Sequence, residues 1–138
     1  MRIEERITIG RRPEEVWDFV VEHTNDPQWC PKVKAVEQAG DRRWKVWHRP
    51  VPLLPAALLE MKHVREHRPT YLAIREEDGA AVFEVEYRLE QAVDGTVFTQ
   101  VSEFAWKRLP RVLWPLFRFG VRRDVARQLR ALKQAIER

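Results

Sequence analysis

The sequence predicts an α+β protein: an antiparallel sheet of about six to seven strands, two short helices after the first strand, and one long C-terminal helix. Three observations carry this. Phe83, Val85, Tyr87 and Leu89 alternate with Glu84, Glu86, Arg88 and Glu90, and the hairpin signal Asp94–Gly95 follows. Val121, Val125, Leu129, Leu132 and Ile136 recur at spacings of four, four, three and four, a helical stripe. Ile3, Ile7 and Ile9 share one side of an alternating N-terminal segment, which leads into a helix opened by Pro13.

The first strand covers residues 2–9, with Glu5 on its apolar side. A buried carboxylate is costly unless paired, so an edge position with solvent access is the simple expectation for Glu5. The helix starting at Pro13 has Glu14 and Glu15 at the positive end of its dipole, and Arg12 is a poor N-cap. Its apolar face is Val16, Phe19 and Val20, with Trp17 at the margin. Asn25 is expected to cap a very short second helix, with Pro27 inside its first turn and Pro31 closing it.

Two strands then flank a turn signal at Gly40–Asp41. Residues 49–59 hold three prolines among apolar residues and read as an extended loop. Strands "LEMKHVRE" and "TYLAIRE" are separated by Pro69, and Asp78–Gly79 turns the chain into the 82–106 hairpin. With Asp94 and Gly95 as the turn residues, Val93 pairs with Thr96. Leu89, Tyr87, Val85 and Phe83 then face Gln100, Ser102, Phe104 and Trp106. That face mixes large apolar groups with three polar ones, and buried polar atoms need partners. A helix starting near Val112 runs roughly 39 Å, long enough to cross a sheet. Pro115 is expected to interrupt its ladder.

Composition bounds the class. A chain of 138 residues with 44% hydrophobic and 33% charged residues reads as one soluble domain, residues 1–138. No apolar run approaches the roughly 20 residues of a membrane span, and no signal-peptide core is present, so a cytoplasmic location is expected. The single cysteine, Cys30, can form no internal disulfide. Residues 107–138 carry ten Lys and Arg against Asp124 and Glu137, a net +8, which leaves −4 for the rest. Nucleic acid is not the expected partner of that segment, because its aromatics cluster before the helix rather than along its basic face.

The whole-chain order resembles the helix-grip fold of the START-like, birch-pollen-allergen-like superfamily, in which a curved antiparallel sheet wraps on the long C-terminal helix. "RRPEEVWDFVVEHTNDPQWCPKVKAVE", "DGTVFTQ" and "RRDVARQLRALKQAIE" are similar to its opening, its penultimate hairpin and its closing helix. The nearest group is the bacterial polyketide cyclase/dehydrase and lipid-transport-like (SRPBCC) proteins. The resemblance implies a cavity between sheet and helix and transfers no catalytic motif.

Placed in that frame, the cavity is expected to be lined by Phe83, Val85, Tyr87, Gln100, Ser102, Phe104, Trp106, Gly120, Val121 and Val125. Gly120 would leave room for a pocket. Leu53 or Leu54 is expected to approach Trp114 or Phe117 and gate the mouth. The stretch "NDPQWCP", residues 25–31, reads as scaffold, with Trp29 capping the core and Cys30 buried and inert. His23 is a possible base for Cys30 that nothing in the sequence places. His63 and His67 read as strand-end residues roughly 13 Å apart, too far to share a metal. His48 shares a strand face with Trp44 and Val46 and is a possible pocket acid or base. No metal or cofactor is expected. The first functional reading is binding of a hydrophobic small molecule, such as a lipid or polyketide-like compound. A cyclase or dehydratase using the same cavity, and a protein-binding module using the 50–59 loop, are the alternatives. Peripheral membrane contact by the aromatic and basic residues 106–120 is the weaker reading of that segment.

Overall fold

The computed structural model describes residues 1–49, 53, 55–79, 81–106 and 110–138, without the side chain of Trp106. Strand β1 (Arg2–Ile9) is followed by α1 (Pro13–Val21) and a 3-10 helix (His23–Gln28). Six strands come next: β2 (Val33–Gly40), β3 (Arg43–His48), β4 (Ala57–His67), β5 (Tyr71–Glu77), β6 (Ala81–Ala92) and β7 (Gly95–Trp106). A 3-10 turn (Arg111–Leu113) leads into α2 (Trp114–Glu137). The seven strands form one sheet in the order β1-β7-β6-β5-β4-β3-β2, every neighbour antiparallel. This is the expected helix-grip architecture.

Several local expectations are corrected. The β6–β7 turn is Val93–Asp94, with Ala92 opposite Gly95, so Tyr87 faces Gln100, Val85 faces Ser102 and Phe83 faces Phe104. The register is two residues from the expected one. A shift of two keeps every side chain on its face, and only a shift of one would reverse them. Gly95 is needed elsewhere than in the turn. Its φ is +142°, and a Cβ there would sit 2.1 Å from the Ile9 carbonyl oxygen, so its bare backbone lets β1 close against β7. The β2–β3 turn moves similarly, to Asp41–Arg42.

The helix ends also differ. Arg12 makes no side-chain cap, as expected. The 3-10 helix is capped by Glu22, whose carboxylate accepts from the Thr24 N–H, while Asn25 lies inside it and donates to the Phe19 carbonyl at 3.1 Å. Pro115 does not break α2. It stands in the first turn, where its missing N–H has no intrahelical acceptor to lose, and so it starts the helix. Trp17 belongs to the core rather than its margin.

The core lies between the inner face of the sheet and the helices. It gathers Ile9, Val16, Trp17, Val20, Trp29, Trp44, Val46, Leu72, Leu89 and Phe98 with Leu129 and Leu132 of α2. Each such side chain contributes about 1.5–3 kcal/mol by leaving water. The C-terminal half of α2 is tied down. Gly10 N–H donates to the Glu137 carboxylate at 2.8 Å, Arg11 donates to the Glu137 carbonyl at 2.9 Å, and Lys133 donates to the Thr8 carbonyl at 2.9 Å. The first two turns are not, with Leu116 75% and Phe119 76% exposed. No helix is long and apolar enough to cross a membrane among the described residues.

Candidate functional site

The register fixes which residues share the inner face. Across β1, β7, β6 and β5, Glu5, Gln100, Tyr87 and Leu72 form one row, and Ile3, Ser102, Val85 and Ile74 form the next. Glu76, Phe83 and Phe104 follow, with Met61 on β4 opposite Glu76. Packing along these rows is uneven. At the end where α2 is anchored, Thr96, Phe98 and Leu89 are fully buried. At the opposite end Phe83, Val85, Phe104, Glu76, His48 and Cys30 all keep accessible surface. Phe83 packs edge-on against Phe104 at 5.3 Å between ring centres and lies 6.3 Å from the His48 ring.

The expected lining residues fall as follows. Tyr87, Gln100 and Ser102 are buried on the inner face. Gln100 donates to the Ser102 hydroxyl at 3.1 Å, and its own Oε1 has no partner among the described residues. Val125 is buried and Val121 half-buried, whereas Gly120 is exposed and a Cβ there would meet nothing. The side chain of Trp106 lies outside the described residues. So does Leu54. Leu53 is 94% exposed, which corrects the expectation that it packs on Trp114 or Phe117. Those two residues are half-buried and exposed respectively, at the start of α2. Glu5 does pair, accepting from Arg122 Nε of α2 at 2.7 Å.

Acidic and polar groups collect where "NDPQWCP" meets the sheet. Burial pushes the Asp26 carboxyl up, against the opposing effect of His23. Burial, then Asp26 and Glu76, pushes the Cys30 thiol well up, which leaves it protonated and a poor nucleophile. Tyr87 is raised well above its usual value by burial, then by Asp26, Cys30 and Glu76. Glu76 has no hydrogen bond or ion pair to a described residue, and burial followed by the nearby Asp26 carries its pKa to about 7. Burial, then Lys32, lowers His48.

Behind this group runs a chain of hydrogen bonds that the sequence reading missed. Asp26 Oδ2 meets His23 Nδ1 at 2.9 Å, His23 Nε2 meets His63 Nε2 at 2.6 Å, and His63 Nδ1 meets the Glu66 carboxylate. His63 is therefore no strand-end residue. It is mid-strand, turned inward and covered by Trp44, whose ring centre lies 4.5 Å away. Residues three apart in a regular strand point to opposite faces. An irregularity in the β4–β5 pairing between His63 and Arg65 leaves Val64 unpaired and 59% exposed, and returns Glu66 to the face of His63. Burial is the first cause of the lowered His63 pKa. His67 does sit at the end of its strand, exposed. Asp26 Oδ1 and the Trp29 indole N–H are both buried without hydrogen-bond geometry, although the indole lies close enough to help stabilise the carboxylate.

A seven-stranded antiparallel sheet and a long C-terminal helix, with a partly open inner face, define the helix-grip architecture. The chain belongs to the family described as polyketide cyclase / dehydrase and lipid transport, whose model matches residues 1–137. Among solved structures it resembles the Zhui aromatase/cyclase from Streptomyces sp. R1128, at 13% identity and a TM-score of 0.80, covering 100% of this chain and 94% of that one. It also resembles TTHA0849 from Thermus thermophilus, at 13% identity, TM-score 0.76, and 99% and 97% coverage. Ara h 8.0201 aligns at 15% identity, TM-score 0.70, over 99% and 97% of the two chains. At these identities the likeness speaks for the fold alone. No curated protein matches the sequence.

Proposed function

We propose that this protein binds a hydrophobic small molecule between the sheet and the N-terminal half of α2. One observation carries the reading: the apolar rows of the inner face are filled where α2 is anchored and left accessible at Phe83, Val85 and Phe104. Apolar burial of the ligand supplies affinity, and Glu76, Tyr87, Gln100 and Ser102 supply the few polar groups that orient it. The entrance lies beside the start of α2, with Trp114 and Phe117. The family description and the aromatase/cyclase neighbour agree with this reading. Native mass spectrometry of protein purified without detergent tests it. A retained apolar compound, absent after Phe83→Asp and Val85→Asp, is the expected result. Protein that carries nothing and takes up no apolar probe contradicts it.

Glu76 favours a second reading, that of a cyclase or dehydratase. A carboxyl in an apolar setting with a pKa near 7 can both give and take a proton at neutral pH, as general acid–base catalysis needs. An accumulated product that disappears in Glu76→Gln, while ligand uptake persists, distinguishes it from simple binding.

A further inference from the structure

We infer that the inner site selects apolar molecules whose polar end is a cation or a hydrogen-bond donor, an amine before an alcohol, and rejects carboxylates, with Glu76 as the group that makes this choice. This rests on the binding reading above and goes further by naming the ligand class. The geometry begins with Glu76 itself. It stands on the inner face of β5, between Met61 on β4 and Phe83 on β6, so its strand neighbours on that face are apolar. It keeps accessible surface, and no described side chain pairs with it. A carboxyl in such a place lacks the partner that a buried or half-buried acid ordinarily requires.

The surrounding charge points the same way. The titratable groups that act on Glu76 are Asp26, which repels its charge, and His23, which favours it, both from the 3-10 helix. His23 is already engaged on both ring nitrogens, by Asp26 and His63. The neighbouring Cys30 and Tyr87 are held in their neutral forms. Two of the nearby cations are already paired. Lys32 is held by Asp124 of α2, and Arg122 by Glu5 at 2.7 Å. An entering carboxylate therefore meets the two acids Asp26 and Glu76, with Lys32 and Arg122 already paired, whereas an ammonium gives Glu76 the partner it lacks. The low-dielectric wall strengthens both effects. Burial that lifts the Glu76 pKa to about 7 supports this, because an ammonium beside it would restore its ionised form.

Three probes with one apolar body test the inference: 2-(1-naphthyl)ethylamine, 2-(1-naphthyl)ethanol and 1-naphthylacetate, measured by equilibrium dialysis. Near pH 8 the amine is expected to bind about tenfold more tightly than the alcohol, and the carboxylate more weakly than either. At about pH 5.5 Glu76 takes up a proton and the advantage of the amine shrinks. Glu76→Gln should remove the preference for the amine and leave the alcohol within about threefold of its original affinity. Equal binding of all three probes, a preference for the carboxylate, or an amine preference unchanged in Glu76→Gln overturns the selectivity while leaving the binding reading intact. Failure of all three to bind overturns both.

Discussion

Glu76 shows most clearly how one residue's setting sets its cost. An acid whose folded pKa is raised favours folding in its protonated form. Its contribution is neutral below the unfolded value of 4.5 and turns unfavourable as pH rises, reaching its full cost above about 7. Glu76→Gln should therefore raise stability near pH 8 by on the order of 2 kcal/mol and change it little near pH 4. Urea midpoints at the two pH values measure this. An equal effect at both would mean that Glu76 is solvated and that its setting has been misread. None of this is visible in the sequence, where Glu76 is one of several acids in a polar strand end. Tyr87, Gln100 and Ser102 were legible, because alternation alone puts them on one face. The observed register differs from the expected one by two residues and leaves them on that face, since the period of a strand is also two.

Among the elements, β4 carries the least expected feature. Strand alternation assigns Leu59, Met61 and His63 to one side, and simple continuation would send Glu66 to the other. The irregularity at Val64 changes that phase and creates the His63–Glu66 contact, which with His23–His63 hooks the 3-10 helix to the sheet. Bulges leave almost no mark in composition, so alternation could not reveal this one. A clue was available in His23 and Asp26, three apart in a short helix and hence neighbours on one side. His63→Leu keeps the bulk of the ring but strands His23 Nε2, and should cost about 2–3 kcal/mol. Thermal unfolding compared with His67→Leu, an exposed strand-end control, checks this. Similar melting temperatures for both variants would show that the chain contributes nothing to stability. The start of α2 was misjudged for a related reason: Pro115 breaks a helix interior but begins a first turn, and only the position of the preceding 3-10 turn distinguishes the two.

At the scale of the whole molecule, order and length of elements made the fold readable: seven strands of period two, two helices of period 3.6 and their turn signals leave few topologies. The candidate site was only half readable, because it depends on where α2 lies over the sheet. That placement is set by contacts between residues more than a hundred positions apart, such as Gly10 with Glu137 and Glu5 with Arg122. They hold α2 down from Arg122 to its C-terminal end and leave the opposite end of the inner face open. The central claim is that this open end, and no other surface, receives an apolar ligand. Chemical-shift mapping with 2-(1-naphthyl)ethanol on labelled protein tests it most directly. The account predicts the largest shifts at Phe83, Val85, Phe104, Glu76 and Val121, with Glu84 and Arg88 on the outer face unmoved. Shifts confined to the exposed apolar residues Val112, Leu116 and Phe119, or to the charged outer-face hollow lined by Lys45, Glu60 and Lys62, would contradict it.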